Sequence, residues 1–204
     1  MNRITGTIFC ALSAFMPVAV AAQAIPAAAH RANLVDVAVM YSAQRANAPV
    51  GNSSAFWMNG ITGELAIPTW RNLSVVIGVG GQHTNRIPVS NTGMGLNSVM
   101  GGLRLRVPNH TLFQPYVQAL AGGVHGFDGY FPAQGKATAS YDTSFAMALG
   151  GGVDLAVSKH IWIRAVQADY FYTELLNRQA NRQNQFRISG GIVFRFPHWF
   201  WERQ

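Results

Sequence analysis

Hydrophobic side chains recur at every second position over most of this 204-residue chain. The alternation forms eight segments of ten to fourteen residues, with glycine inside them in place of strong helix formers. A period of two predicts β-strands with one apolar face, here residues 33–43, 56–67, 73–83, 97–106, 114–126, 144–157, 161–172 and 185–196. Soluble sheets have strands of about five or six residues, whereas a tilted membrane-crossing strand needs about nine to eleven. The segment lengths therefore favour strands that cross a membrane.

The connections between these segments alternate strictly in length. Residues 44–55, 84–96, 127–143 and 173–184 are long connections, and residues 68–72, 107–113 and 158–160 are short ones. In up-and-down outer-membrane barrels the turns are short on the periplasmic side and the loops are long on the outer side. We therefore predict an all-β fold, an eight-stranded antiparallel up-and-down transmembrane β-barrel. A soluble eight-stranded barrel with its apolar side chains inside is the alternative.

Charged side chains share one parity within the predicted strands. In the fourth strand Val99, Leu103 and Leu105 alternate with Arg104 and Arg106. An unpaired charge that faces lipid at the membrane midplane costs about 2 to 4 kcal/mol, so the polar set is predicted to line the lumen. The predicted lumen charge network consists of four acids and four bases: Asp36, Glu64, Arg104, Arg106, Asp154, Asp169, Arg187 and Arg195.

An eight-stranded barrel is only wide enough for its interior to be filled by side chains. We therefore expect a closed lumen in which arginines pair with carboxylates and bond to Tyr116, Gln118 and Gln167. The seventh strand breaks the pattern, because the parity of Gln167 and Asp169 places Arg164 on the lipid side. Two resolutions remain open: a bulge near Ala165, or an Arg164 side chain that snorkels to the interface.

Aromatic residues bracket the predicted strands as an interfacial girdle does. At the short-turn ends they are Trp70, Phe113 and Trp162, and toward the long loops they are Tyr41, Trp57, Phe127, Tyr170 and Tyr172. Charged residues make up only 11% of the chain and hydrophobic residues 49%, while the mean hydropathy is +0.12. This composition excludes a disordered chain and disfavours a bundle of membrane helices.

The N-terminus has the pattern of a targeting segment. Arg3 is followed by an uncharged apolar stretch and an alanine-rich cleavage region, which predicts a Sec signal peptide over residues 1–22, with a membrane anchor as the alternative. Cys10 is the only cysteine, so the exported chain is expected to contain no disulfide. The predicted organisation continues with a flexible periplasmic lead at 23–32, the barrel at 33–196 and a short aromatic periplasmic tail at 197–204.

The last predicted strand carries a polar residue, a glycine two positions later and two alternating aromatics, at Ser189, Gly191, Phe194 and Phe196. This pattern resembles the C-terminal insertion signal of outer-membrane barrels. Together with the eight strands and the signal peptide, it makes the chain resemble the small bacterial outer-membrane β-barrel domain family, similar to the OmpA membrane domain and OmpX. Members often end at the final aromatic, whereas residues 197–204 follow it here.

The resemblance implies insertion by the barrel assembly machinery, a monomeric barrel in the outer membrane of a Gram-negative-type envelope, and roles in envelope integrity, adhesion or small-solute passage. We expect a structural or surface-interaction role through the outer loops, with Phe127, Tyr130, Phe131 and Tyr141 as contact candidates. A narrow channel or carrier for small solutes is the alternative.

The basic residues, which give a formal net charge of +7, are scattered singly, so no nucleic-acid partner is expected. Attraction to anionic lipopolysaccharide is the favoured interpretation, because basic residues fall in the predicted loops at Arg86, Lys136, Arg178 and Arg182.

No enzymatic activity, cofactor or metal is expected, since no two histidines have metal-ligand spacing within a strand. The enzymatic alternative is a lipid A modifying barrel, which needs a histidine and a hydroxyl within hydrogen-bond reach. His83 and His125 have lipid-facing parity near the outer ends of their strands, but Ser144 has lumen parity and Ser90 lies in a loop.

Overall fold

Eight strands form one closed sheet. The computed structural model describes residues 34–47, 55–87, 92–108, 111–129, 131, 139–177 and 181–197. The strands are β1 (Leu34–Ala46), β2 (Phe56–Trp70), β3 (Leu73–Thr84), β4 (Met94–Arg106), β5 (Phe113–Phe127), β6 (Asp142–Ala156), β7 (Ile161–Thr173) and β8 (Gln183–Pro197). Each strand is antiparallel to the next, and β1 also pairs with β8, which closes the barrel. The predicted eight-stranded antiparallel up-and-down barrel is confirmed.

Most of the strands extend beyond their predicted ends, chiefly toward the long connections. β4, for example, begins at Met94 although the alternation begins only at residue 97. The apolar alternation stops where the outer face leaves the apolar band, while backbone pairing continues past that point. The predicted signal peptide, the lead and residues 198–204 of the tail lie outside the described residues. In the part of the chain that is described, no helix has the length and apolarity to cross a membrane.

The two faces of the sheet differ as the parity predicts. Large apolar side chains point outward along every strand, among them Val39, Ile61, Val99 and Leu149. The lumen side carries the buried polar and charged residues. A soluble barrel would have the opposite arrangement, so that alternative does not hold.

A bulge in β7 explains the one strand that broke the pattern. The register with β8 shifts between Arg164 and Gln167, and the register with β6 shifts between Val153 and Asp154. Ala165 and Val166 both face outward, so the parity of the strand changes at this point. Arg164 consequently points into the lumen and is only 1% exposed. The structure therefore contains the bulge near Ala165, and Arg164 does not snorkel to the interface.

The lumen holds charged, polar and apolar side chains. Arginines and carboxylates are concentrated in the middle of the barrel and toward the short turns, beside a small apolar cluster around Trp162. Toward the long connections, buried glutamines and hydroxyls such as Gln44, Gln82 and Gln185 lie with a larger apolar cluster. The largest members of this cluster are Phe56, Met58, Leu96, Met100, Leu120, Val124, Phe131, Phe171 and Leu175.

Candidate functional site

A triad of buried charges occupies the middle of the lumen. Arg104 on β4 and Arg164 on β7 both bind Glu64 on β2, and the Nη1 atom of Arg164 lies 2.6 Å from Glu64 Oε2. These strands are not neighbours in the sheet, so the triad spans the cross-section of the barrel. Both guanidinium groups also lie over the Tyr116 ring, whose centroid is 4.4 Å from the guanidinium carbon of Arg104 and 4.7 Å from that of Arg164. The aromatic ring therefore attracts both cations, and the shared carboxylate of Glu64 offsets their mutual repulsion.

The triad continues into a chain of ion pairs of alternating sign. Arg164 Nε donates to Asp154 Oδ1 at 2.8 Å, and Asp154 Oδ2 lies 3.3 Å from Arg195 Nη2. Arg195 Nε lies 3.2 Å from Asp36 Oδ1, and Asp36 also pairs with Arg106. Seven residues thus form one connected ion-pair chain, in the order Arg104, Glu64, Arg164, Asp154, Arg195, Asp36 and Arg106.

The other two members of the predicted network form a neighbouring pair. Arg187 Nη2 donates to Asp169 Oδ2 at 3.0 Å. Gln167 Nε2 donates to Asp169 Oδ2 and to Glu64 Oε1, both at 2.9 Å, and therefore links this pair to the ion-pair chain. All eight predicted lumen residues lie in the barrel interior. Arg164 adds a ninth member that the sequence parity missed.

Trp162 is not part of the predicted interfacial girdle. Its side chain is 4% exposed inside the barrel, where the Arg195 guanidinium carbon lies 3.6 Å from its ring centroid. Trp162 and Arg164 both precede the β7 bulge, so the parity of the residues after the bulge does not apply to them. The lipid-facing parity of Arg164 was the signal in the sequence that this strand is irregular.

The described part of the lumen leaves little free space. A cavity of about 40 Å³ lies at the long-connection end, where Phe56, Met58, Leu96 and Phe131 contribute to its lining. Such a volume holds roughly three or four water molecules, since each water needs roughly 10–15 Å³ of cavity volume. The ion-pair chain crosses the lumen between this cavity and the short turns.

The predicted contact residues of the 127–143 connection have different positions. Tyr141 is 66% exposed, and Phe127 is half-buried. The prediction for Phe131 is wrong, because this side chain is 2% exposed and its ring packs on Gly126 and Gly129 over the barrel mouth. This loop aromatic packs into the apolar cluster of the lumen instead of forming part of an exposed surface. Tyr130 lies outside the described residues.

Two histidines face outward near the long connections. His83 Nε2 lies 2.9 Å from Asn85 Oδ1, and His125 Nδ1 lies 2.7 Å from Thr143 Oγ1. Ser144 lies on the lumen face of β6, and Ser90 is outside the described residues. Among the described residues no three His, Cys, Asp or Glu side chains lie where they would hold a metal ion.

The four residues of the predicted insertion signal occupy both faces of β8. Ser189 is buried on the lumen side, whereas Phe194 and Phe196 are exposed on the outer side. Gly191 lies in register with Met40 of β1, at the seam that closes the barrel. The signal residues thus form part of the strand that completes the sheet.

The sheet is closed, its outer face is apolar, and ion pairs cross its lumen. These features define a transmembrane β-barrel whose interior is occupied by side chains. The chain belongs to the outer membrane protein beta-barrel domain family, whose model matches residues 8–196. This family places the protein in the outer membrane of a Gram-negative-type envelope.

Solved structures share this fold. Neisserial surface protein A aligns over 79% of this chain and 97% of its own, with 15% identity and a TM-score of 0.63. The attachment invasion locus protein Ail of Yersinia pestis aligns over 80% of this chain and 99% of its own, with 15% identity and a TM-score of 0.52. No protein of curated function matches the sequence.

Proposed function

We propose that this protein is a non-conducting, non-enzymatic barrel with a structural or surface-interaction role, which it performs through its outer loops. The observation that carries the proposal is the ion-pair chain, whose side chains come from six of the eight strands and cross the lumen. A solute would have to break several buried ion pairs to pass, and removing one partner of such a pair costs about 3 to 5 kcal/mol.

The route to the membrane is part of the same proposal. We propose that the chain is exported through the Sec pathway and inserted as a monomer by the barrel assembly machinery. Ser189, Gly191, Phe194 and Phe196 would serve as the insertion signal.

The outer rim offers an aromatic contact surface. The His125 ring stacks against Phe127 with centroids 6.2 Å apart and lies 6.3 Å from the Tyr141 ring. Exposed aromatic side chains are enriched at protein interfaces. A solved structure of Ail, with a TM-score of 0.53 and 15% identity, contains the heparin analogue sucrose octasulfate. That complex of a similarly folded barrel supports a sulfated glycan as the first partner to try, bound on the basic side of the rim near Arg86, because Asp128 and Asp142 flank the aromatic rings.

Purified protein in planar bilayers is expected to give no stepwise current, because the lumen is filled. A large porin inserted into the same bilayers provides the positive control. Discrete ohmic steps in the absence of the porin would contradict the proposal and favour the narrow-channel alternative.

Cells that display the protein are expected to attach to heparin-coated surfaces more than cells carrying an empty vector. Arg86→Gln should at least halve this gain, because it removes an exposed cation beyond the end of β3 that a sulfate group can bind. Lys159→Gln is the matched control, since Lys159 is exposed in the short turn between β6 and β7, at the opposite end of the barrel. Attachment equal to the empty vector would leave only the structural role, and an equal loss in both variants would exclude a specific role for Arg86.

A further inference from the structure

Carboxylates are distributed unevenly around the barrel. Residues 34–127 cover β1 to β5, and their only acids are Asp36 and Glu64, both buried in the lumen. On the other half of the rim, Asp128 follows β5, Asp142 begins β6 and Glu174 follows β7. The outer surface of β1 to β4 therefore carries no negative side chain.

The same half carries cations and amide donors near its long-connection ends. Arg45, Trp57, Asn59, His83 and Asn97 point outward within three residues of those strand ends, and Arg86 is exposed just after β3. We call this set the β1–β4 arc. Among the described residues, neither Arg45 nor Arg86 forms an ion pair with a carboxylate.

The arc lies where the outer face changes from apolar to polar. Below Arg45 on the same face of β1 come Ala43, Tyr41, Val39 and Val37. From residue 35 to residue 43 this apolar strip measures roughly 20 Å along the membrane normal, given about 3.3 Å per residue and a tilt of about 40°. This length is comparable to the apolar band of about 25 Å on outer-membrane barrels. The arc is thus at the level of the outer-leaflet headgroups.

Arg45 lies between two aromatic residues of the neighbouring strands at this level. Its register partners are Trp57 on β2 and Phe186 on β8, which are 51% and 45% exposed on the same outer face. Tryptophan favours the membrane interface, and a guanidinium binds phosphate oxygens through two parallel N–H donors. A cation between interfacial aromatics, with the Asn59 amide two residues beyond Trp57 on β2, matches a phosphate group attached to a lipid.

We infer that the β1–β4 arc binds the phosphorylated headgroup of an outer-leaflet glycolipid. Arg45 and Arg86 supply the charge, Asn59 and Asn97 supply amide donors, and the acyl chains lie along the apolar strip below. This inference replaces the broader expectation of loop attraction to lipopolysaccharide. Arg182, one of the basic residues in that expectation, lies on the acidic half of the rim, and Lys136 and Arg178 are outside the described residues.

The inference is tested on the folded full-length barrel in nanodiscs of phosphatidylcholine, titrated with lipid A. The double variant Arg45→Gln, Arg86→Gln is expected to bind lipid A about tenfold more weakly than the wild type, because two charge-assisted contacts are lost. Arg182→Gln is the matched control and should bind within about twofold of the wild type. All three proteins should retain heat-dependent gel mobility, because the substituted side chains lie outside the barrel interior.

Two further binding measurements identify which part of lipid A the protein recognises. Lipid A stripped of its phosphates should bind the wild type as weakly as intact lipid A binds the double variant. Inorganic phosphate alone should not displace intact lipid A, since it lacks the acyl chains. The inference is overturned if Arg182→Gln loses as much affinity as the double variant, if dephosphorylated lipid A binds equally well, or if inorganic phosphate competes. Lipid binding and attachment to heparin are separate measurements, so either can fail without the other.

Discussion

Replacing Glu64 with glutamine is expected to lower the free energy of unfolding by about 3 to 5 kcal/mol. Glu64 accepts from both Arg104 and Arg164, and both guanidinium groups are completely buried in the lumen. The amide keeps the shape of the side chain but leaves two buried cations without their shared carboxylate. Urea unfolding of the barrel in lipid vesicles, followed by tryptophan fluorescence, measures the loss.

Asp128→Asn is the matched control for this variant. It also exchanges one carboxylate for an amide, but Asp128 is exposed beyond the end of β5. Its backbone has a positive φ of 53°, which asparagine tolerates. The control should change stability by no more than about 0.5 kcal/mol. Equal losses in the two variants would show that the central triad has no special importance for stability.

Gly191→Ala is expected to interfere with closure of the barrel. A Cβ atom at this position would lie 2.1 Å from the Val39 carbonyl oxygen and 2.6 Å from Met40 Cα, both backbone atoms of β1. The seam between β8 and β1 would have to move, and overpacking of this kind typically costs about 1 to 3 kcal/mol. The variant should give less of the heat-sensitive folded form in outer membranes and unfold at lower urea concentration.

The adjacent glycine provides the control for that experiment. A Cβ atom at Gly190 would meet its nearest neighbours, the carbonyl oxygens of Ala165 and Arg164, at 3.5 Å, an ordinary van der Waals distance. Gly190→Ala should therefore assemble like the wild type. If both variants assemble equally well, close approach of β8 to β1 is not what requires glycine at position 191.

The sequence was sufficient to predict the strands and the lumen residues because both depend on local signals. A side-chain period of two identifies each strand, and the cost of a charge in lipid decides which face turns inward. These rules placed Asp36, Glu64 and Arg104 on the lumen side. They did not specify the partners, since Glu64 meets Arg164 only when strands distant in the sheet face each other across the lumen.

Two kinds of residue could not be placed from local pattern. Trp162 and Arg164 precede a bulge, and one extra residue reverses the parity of everything on its far side. Phe131 lies in a connection, and its burial depends on contacts with Gly126, Gly129 and the barrel mouth. The β1–β4 arc could be predicted only in part. The absence of acids from residues 65–127 can be read from the sequence, but the neighbourhood of Arg45 and Phe186 requires the closed seam.

The ion-pair chain has a consequence for assembly. Arg164 and Glu64 are 100 residues apart in the sequence, and Asp36 and Arg195 come from the first and last strands. An open sheet that lacks β8 would present two unpaired edges to lipid and would leave Asp36 without Arg195. Charge neutralisation and edge pairing are therefore completed in the same event, so partly built barrels are unfavourable and insertion should proceed as one cooperative step.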